Sequence, residues 1–229
     1  MSTGGLRAQR YRRRRPLPAV VLMAVLGLVA GIVWLRVIQT DGAVTTAQAC
    51  DPPPAVVPVE GQPLPTLGQQ LPVDALDRTP PSPAAGGLVR VVNASGQNRL
   101  AGAVTEALRD LGFTQIGEPG NDALYPNGSL SCRAQIRFGQ QGMGVARTLS
   151  LVDPCAELVR DERQDATVDL ALGKKFDHLQ PTASARRVLD VLAEWAQANP
   201  GTEGGLQNDG STAAPIDQAL LDSARSEGC

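Results

Sequence analysis

Residues 88–116, LVRVVNASGQNRLAGAVTEALRDLGFTQI, decide the fold class. Leu88-Val89-Arg90-Val91-Val92 is a short β-rich run, and Asn93-Ala94-Ser95-Gly96 supplies turn chemistry directly after it. From Arg99 to Leu111 the apolar residues Leu100, Val104, Leu108 and Leu111 recur at helical spacing, and Gly112 suits the left-handed position that ends a helix. Phe113–Ile116 then restarts a strand, so the unit reads β-α-β, which implies parallel pairing and a right-handed crossover.

A second unit follows a polar loop. Ala134, Ile136 and Phe138 alternate with Arg133, Gln135 and Arg137, the period of a half-buried strand. Val145, Leu149 and Val152 mark one face of a short helix after the glycine-rich Gly139–Gly144 turn, and Pro154 stops it. Val168, Leu170 and Leu172 form a last alternating strand. The expected fold is therefore α/β, a small sheet with packed helices, over residues 86–176. Residues 177–229 are expected to add C-terminal helices and a tail, with Val188, Val191, Leu192 and Trp195 on one helix face and Ile216, Leu220 and Leu221 on another.

Towards the N-terminus the composition changes twice. Residues 36–85 contain ten prolines between Pro52 and Pro83 and read as an extended stalk. Leu17 to Leu35, LPAVVLMAVLGLVAGIVWL, has no charged side chain. As a helix, nineteen residues reach about 28 Å, close to the hydrocarbon thickness of a bilayer. A cleaved signal peptide is the competing reading, but the apolar run exceeds the roughly 7–15 residues of a signal core. The lipid bilayer is thus the first expected partner, through residues 17–35. Residues 1–16 carry Arg12–Arg15, which places this stub in the cytoplasm and the rest outside by the positive-inside rule.

Charge follows the same division. Seven of the 21 basic residues precede residue 37, where no acid occurs, so the remainder holds 14 basic against 23 acidic residues. An acidic body argues against nucleic-acid binding. Four cysteines (Cys50, Cys132, Cys155 and Cys229) beyond the span suggest disulfides. A strand followed by an antiparallel helix brings its outer ends together, which predicts Cys132–Cys155 and, by elimination, Cys50–Cys229. Metal ligation is not expected, since there is no CxxC pair and the one histidine is His178.

The motifs carry a family resemblance. Val89–Gly96, Leu100-Ala101-Gly102, Leu108–Phe113, Ile136-Arg137-Phe138-Gly139 and Val168–Gly173 resemble the LytR C-terminal domain. With the basic stub, the span and the stalk, the whole chain is similar to the envelope-integrity proteins of actinobacteria. The resemblance implies an extracytoplasmic role in maintaining the cell envelope, with cell-wall glycopolymer or wall-assembly proteins as partners. In multidomain relatives the domain follows a catalytic LytR-CpsA-Psr domain that links glycopolymers to peptidoglycan. That catalytic domain has no counterpart here, so the expectation is binding or scaffolding without catalysis and without a cofactor. An accessory enzyme acting on an anionic wall polymer is the alternative.

Two places invite a ligand. Asn93, Ser95, Gly96 and Arg99 join a strand to a helix N-terminus, where free N–H groups converge on a point suited to phosphate or carboxylate. Against this, Asn93 and Ser95 also suit a purely local task, shaping the turn and capping the helix. The spacer Gln97-Asn98-Arg99 departs from the shorter glycine-rich linker of the family. The second place is the strand face of Arg133, Gln135 and Arg137, with Arg90 nearby, which reads as a solvated sheet face rather than an anion platform. His178 beside Asp177 has no matched nucleophile and reads as a surface residue.

Overall fold

In the computed structural model the strand-forming runs assemble into one six-stranded sheet, with the sequence's apolar alternation deciding which face each residue meets. The structure describes residues 22–32, 34, 49–54, 66–200 and 213–226. The strands are β1 (Gln69–Leu71), β2 (Val89–Asn93), β3 (Gly120–Asn121), β4 (Ala134–Phe138), β5 (Glu157–Arg160) and β6 (Val168–Leu172). The α-helices of this domain are α1 (Leu100–Asp110), α2 (Met143–Val152), α3 (Ala183–Ala198) and α4 (Gln218–Ser226). The strand order is β1-β5-β4-β6-β2-β3. β2 runs parallel to β3 and β6, β4 parallel to β5, while β4–β6 and β1–β5 are antiparallel.

The opening unit is β-α-β as its pattern predicts. Helix α1 ends where Gly112 adopts φ +92°, with the Gly112 amide on the Arg109 carbonyl and the Phe113 amide on the Leu108 carbonyl. That is the paired bonding of a Schellman ending, and Phe113 is buried against the core beside it. The returning strand is shorter and later than Phe113–Ile116. Ile116 makes only an isolated bridge to Val89, and β3 is two residues long.

Alternation sorts the sheet's two sides. Val89, Val91, Ile136, Phe138, Leu158, Val168 and Leu170 point to one face and pack with Val104 and Leu108 of α1 and Val145, Leu149 and Val152 of α2. Helices α3 and α4 build outward from α2, through Leu151, Val188, Leu192, Leu221 and Ala224. Thr182 caps α3 by accepting the Ala185 amide. Asp77 accepts from both Arg147 of α2 and Arg225 of α4. Among the described residues, every helix of the domain thus builds on the same side of the sheet.

Residues 66–85, expected as the end of the stalk, are instead built into the domain. β1 pairs with β5, and Leu76 is buried in the main core. Proline is compatible with this because the segment forms an edge, where a missing N–H breaks no ladder. Residues 49–54 also dock. The Cys50 amide donates to Glu157 Oε1 (3.1 Å), and Tyr125 Oη donates to the Asp51 carbonyl (2.7 Å).

The disulfide pairing differs from expectation. Cys132 bonds to Cys50, not Cys155, with Cα atoms 4.9 Å apart. A bend at Cys132–Arg133, just before β4, breaks the strand alternation and turns Cys132 into a second apolar cluster with Cys50, Val92, Leu124, Tyr125 and Ala171. That cluster lies on the side of the sheet opposite α2. Cys155 is itself disulfide-bonded.

The chain divides into two units, residues 1–43 and 44–229. In the first, residues 22–32 are helical and their large apolar side chains, including Leu22, Met23, Leu26 and Leu28, are exposed. Among the described residues no helix is long and apolar enough to cross a membrane. The ends of the expected span at 17–35, the stub 1–16 and residues 36–48 and 55–65 of the expected stalk lie outside them.

Candidate site: a charged groove on the helix-free face

Three strands contribute an apolar–charged–apolar triplet: Val89-Arg90-Val91, Val168-Asp169-Leu170 and Ile136-Arg137-Phe138. The register sets Arg90 opposite Asp169 and Asp169 opposite Arg137, so the charges form a +, −, + row across adjacent strands. Their apolar neighbours face the helices, which leaves the charged row on the other side.

Each guanidinium in this row is engaged. Arg90 donates through Nε and Nη2 to both Asp169 oxygens (2.8 and 2.9 Å). Arg163, from the loop before β6, donates to Asp161 and through Nη2 to Asp169 (2.9 Å). Arg137 is buried, donates to Asp122 Oδ2 (2.6 Å), and forks onto Gln135 Oε1 (3.0 and 2.8 Å). Gln135 passes the chain to Glu157 (2.7 Å), whose other oxygen holds the Cys50 amide. Arg137 also lies over the Tyr125 ring, 5.6 Å from its centroid. Asp122 uses its second oxygen to cap the Leu124 and Tyr125 amides.

The electrostatics follow from these contacts. Burial pushes the Asp169 carboxyl upward, but the hydrogen bonds from Arg90 and Arg163 outweigh it and hold the group below its usual value. Arg90 is held more firmly protonated by its bond to Asp169. Burial works against the charge of Arg163, and its bonds to Asp161 and Asp169 reverse that, so its pKa rises. Burial raises the Tyr125 phenol.

Over this row lies a groove of about 490 Å³, lined in part by Thr66, Arg90, Glu118, Asn121, Asp122 and Arg163. A second lobe of about 410 Å³ shares Thr66, Arg90, Asp161 and Arg163 and adds Glu162, Asp165 and Thr167. Volumes in this range suit a small polar ligand or a few residues of a polymer.

The two places singled out in the sequence fare differently. Arg90, Gln135 and Arg137 come together as one sheet face, but Gln135 and Arg137 are buried in a paired network rather than solvated. Arg133 leaves that face. It reaches Asp153 (2.9 Å), Asp177 (2.6 Å) and the His178 carbonyl (2.7 Å), and lies 4.8 Å from the Phe176 ring centroid. The Asn93–Arg99 loop forms closely knit local bonds. Asn93 Oδ1 accepts the Ser95 amide and hydroxyl, Asn93 Nδ2 donates to the Gln97 carbonyl, and Ser95 Oγ accepts the Gln97 amide. Gly96 has φ +78° and packs backbone to backbone on Gly128, where a Cβ would stand 2.3 Å from the Gly96 nitrogen. Arg99 occupies the residue before α1 at φ 64° and makes no side-chain cap. His178 is exposed beside Asp177 (3.2 Å). Among the described residues no three His, Cys, Asp or Glu side chains are grouped to hold a metal.

Asp122, Asp161 and Arg163 escape sequence reasoning because they sit in loops, Asp122 far along the chain from the loop that holds both Asp161 and Arg163. The three charged triplets were the available signal, since a lone charge in each of three alternating strands marks a common face.

Comparison with known proteins fits the same region. A family model described as "LytR cell envelope-related transcriptional attenuator" matches residues 88–176, which contain most of the groove. The Cell envelope integrity protein Cei of Mycobacterium tuberculosis (strain ATCC 25618 / H37Rv) is 36% identical over 219 residues, covering 96% of this chain and 92% of that protein. A crystal structure of the soluble domain of a conserved hypothetical secreted protein from Mycobacterium marinum superposes with a TM-score of 0.59 at 34% identity. It covers 71% of this chain and 99% of that one.

Proposed function

The chain belongs to the family of the cell envelope integrity protein Cei and carries that family's LytR C-terminal-type domain, and from this premise we propose that it is a membrane-anchored protein whose extracytoplasmic domain supports the envelope by binding wall components or wall-assembly proteins, without catalysis. The observation that carries the binding role is the groove on the helix-free face. A fixed lattice of donors and acceptors above a rigid sheet is organised before any ligand arrives, which lowers the entropic cost of binding.

Its groups suit recognition better than turnover. The guanidiniums of Arg90, Arg137 and Arg163 are engaged by Asp122, Asp161 and Asp169, and no histidine lines the groove. A general base needs a freely exchanging proton near neutrality, and a carboxylate held low by two arginines, like Asp169, is poorly placed for that. The Cys50–Cys132 disulfide supports an oxidising compartment for the domain. The apolar run Leu17 to Leu35 and the arginines before it support an anchor with its N-terminus inside.

Protease added to intact, wall-stripped cells tests the topology. The reading expects digestion of everything beyond Leu35, and a protected C-terminus would reject it. A mature N-terminus at Cys50 by mass spectrometry would instead show processing.

A further inference from the structure

We propose that the groove binds a short peptide bearing a free amino group and turns away phosphate-rich polymers. This deepens the binding role proposed above and rests on it. The argument begins with which charges are already matched. Arg137 sits on Asp122, Arg163 on Asp161 and Asp169, and Arg90 on Asp169. Among the described residues, every cation that lines either lobe is therefore engaged by a carboxylate. The groups left over are acids. Glu118 lines the first lobe, Glu162 and Asp165 the second; all three are exposed, and among the described residues none has a salt-bridge partner. Asp165 is held ionised by the Thr167 amide (2.8 Å).

A polyanion entering this groove meets like charge at the rim and finds no free guanidinium on the floor. To gain one it must break an Arg–carboxylate pair, and opening the Arg137–Asp122 pair strands a charge in a buried setting. An ammonium group meets the opposite situation, because the unmatched carboxylates accept it without disturbing the floor.

The groove wall adds a reason for a peptide rather than a sugar or a bare amine. Among the described residues, β3, with Gly120 and Asn121, is the last strand of the sheet and has only β2 beside it. Nothing stands within 4 Å of where a Gly120 side chain would project. An open edge of this kind pairs with an extended backbone through N–H and C=O groups. Among the described lining residues there is no aromatic side chain to stack on a sugar ring.

Isothermal titration of the full-length chain in lipid nanodiscs tests this with three probes: the tripeptide alanyl-glutamyl-lysine, the same peptide acetylated at both amines, and a short polyphosphate. The proposal expects saturable binding of the free peptide, at least a tenfold loss on acetylation, and no heat from polyphosphate. A Glu118→Gln/Glu162→Gln/Asp165→Asn variant should lose tenfold in affinity with an unchanged melting temperature, whereas Arg187→Ala on the helical side should bind normally. Competition by amine-bearing peptides released from purified wall, against a protein hydrolysate of equal amine content, separates a wall source from a protein source. Polyphosphate binding as tight as the peptide, indifference to acetylation, or no saturable binding of the free peptide would each overturn the proposal. None of these results bears on the protease topology test, so failure here and failure of membrane anchoring are told apart.

Discussion

The two faces of the sheet are built from alternate residues of the same strands, yet they follow opposite rules. On one, Ile136, Phe138, Val168 and Leu170 meet helices and exclude water. On the other, Gln135, Arg137 and Asp169 are just as thoroughly buried, but among polar partners, beside an open groove. The first face derives its stability from apolar area, which is tolerant of detail. The second depends on complete pairing, since a buried charge without its partner costs more than the pair gains. A sheet that keeps its helices on one side leaves the other open to carry a groove, and the charged network fixes the groups that line it.

Adjacent residues of β4 put this contrast to the largest test. Phe138→Ala should cost about 3–5 kcal/mol through the cavity it leaves in the helical face. Arg137→Met should cost about as much, for a different reason, by stranding Asp122. The two are separated by the double variant Arg137→Met/Asp122→Asn, which removes the stranded charge but keeps an oxygen for the Leu124 and Tyr125 amides and should recover part of the loss, while no polar partner exists whose removal rescues Phe138→Ala. Chemical denaturation of each variant gives the values. A cost below about 1 kcal/mol for Arg137→Met would mean that the charged face is not tightly paired.

Next in size is the Cys50–Cys132 bridge, which joins residues 82 apart. Cys50→Ser should destabilise the domain by about 2–4 kcal/mol, through loss of the crosslink. It should also loosen the polar chain that the Cys50 amide anchors at Glu157. Hydrogen exchange should quicken around Tyr125 and Gln135 more than in α1. Non-reducing peptide mapping should recover a Cys50–Cys132 peptide and, from the cysteines that remain in the sequence, Cys155–Cys229. A Cys132–Cys155 peptide would contradict the bend before β4.

A smaller effect comes from pH. The folded pKa of Asp169 is depressed, so its stabilising contribution is present above the usual carboxylate range and is lost as pH falls below about 4. Asp153 has the opposite sign. Burial raises it despite Arg133, so its contribution favours folding at low pH and is lost as pH rises through the raised value. Asp169→Asn should therefore flatten the acid limb of the stability curve, and Asp153→Asn should steepen it. Unfolding midpoints measured from about pH 2 to 6 read both slopes.

Much of this division was legible in the sequence, and the exceptions have physical causes. Strands β2, β4 and β6 and helices α1, α2 and α3 announce themselves by period, because one face of each packs on the same core. β5 escaped notice because Glu157-Leu158-Val159-Arg160 has apolar residues only in its middle and too little length to show a period. β1 was hidden by the surrounding prolines, which suit an edge as well as a stalk. The cysteine pairing failed where alternation was extended through a bend that only tertiary structure reveals. On the functional side, the row Arg90–Asp169–Arg137 was partly visible as charged positions in alternating strands. Its conversion from a solvated face to a buried network depends on Tyr125, Asp122 and Cys50, which arrive from distant loops.

The most direct test asks whether the helix-free face is the working one. Cells lacking the protein are complemented with the full-length chain, with Glu118→Gln/Glu162→Gln/Asp165→Asn, or with Arg187→Ala/Glu194→Ala on the exposed side of α3, each at equal membrane level, and survival in a wall-perturbing detergent is measured. The groove account predicts that the α3 variant restores survival as fully as the unaltered chain and that the groove variant does not. Full restoration by the groove variant would contradict it.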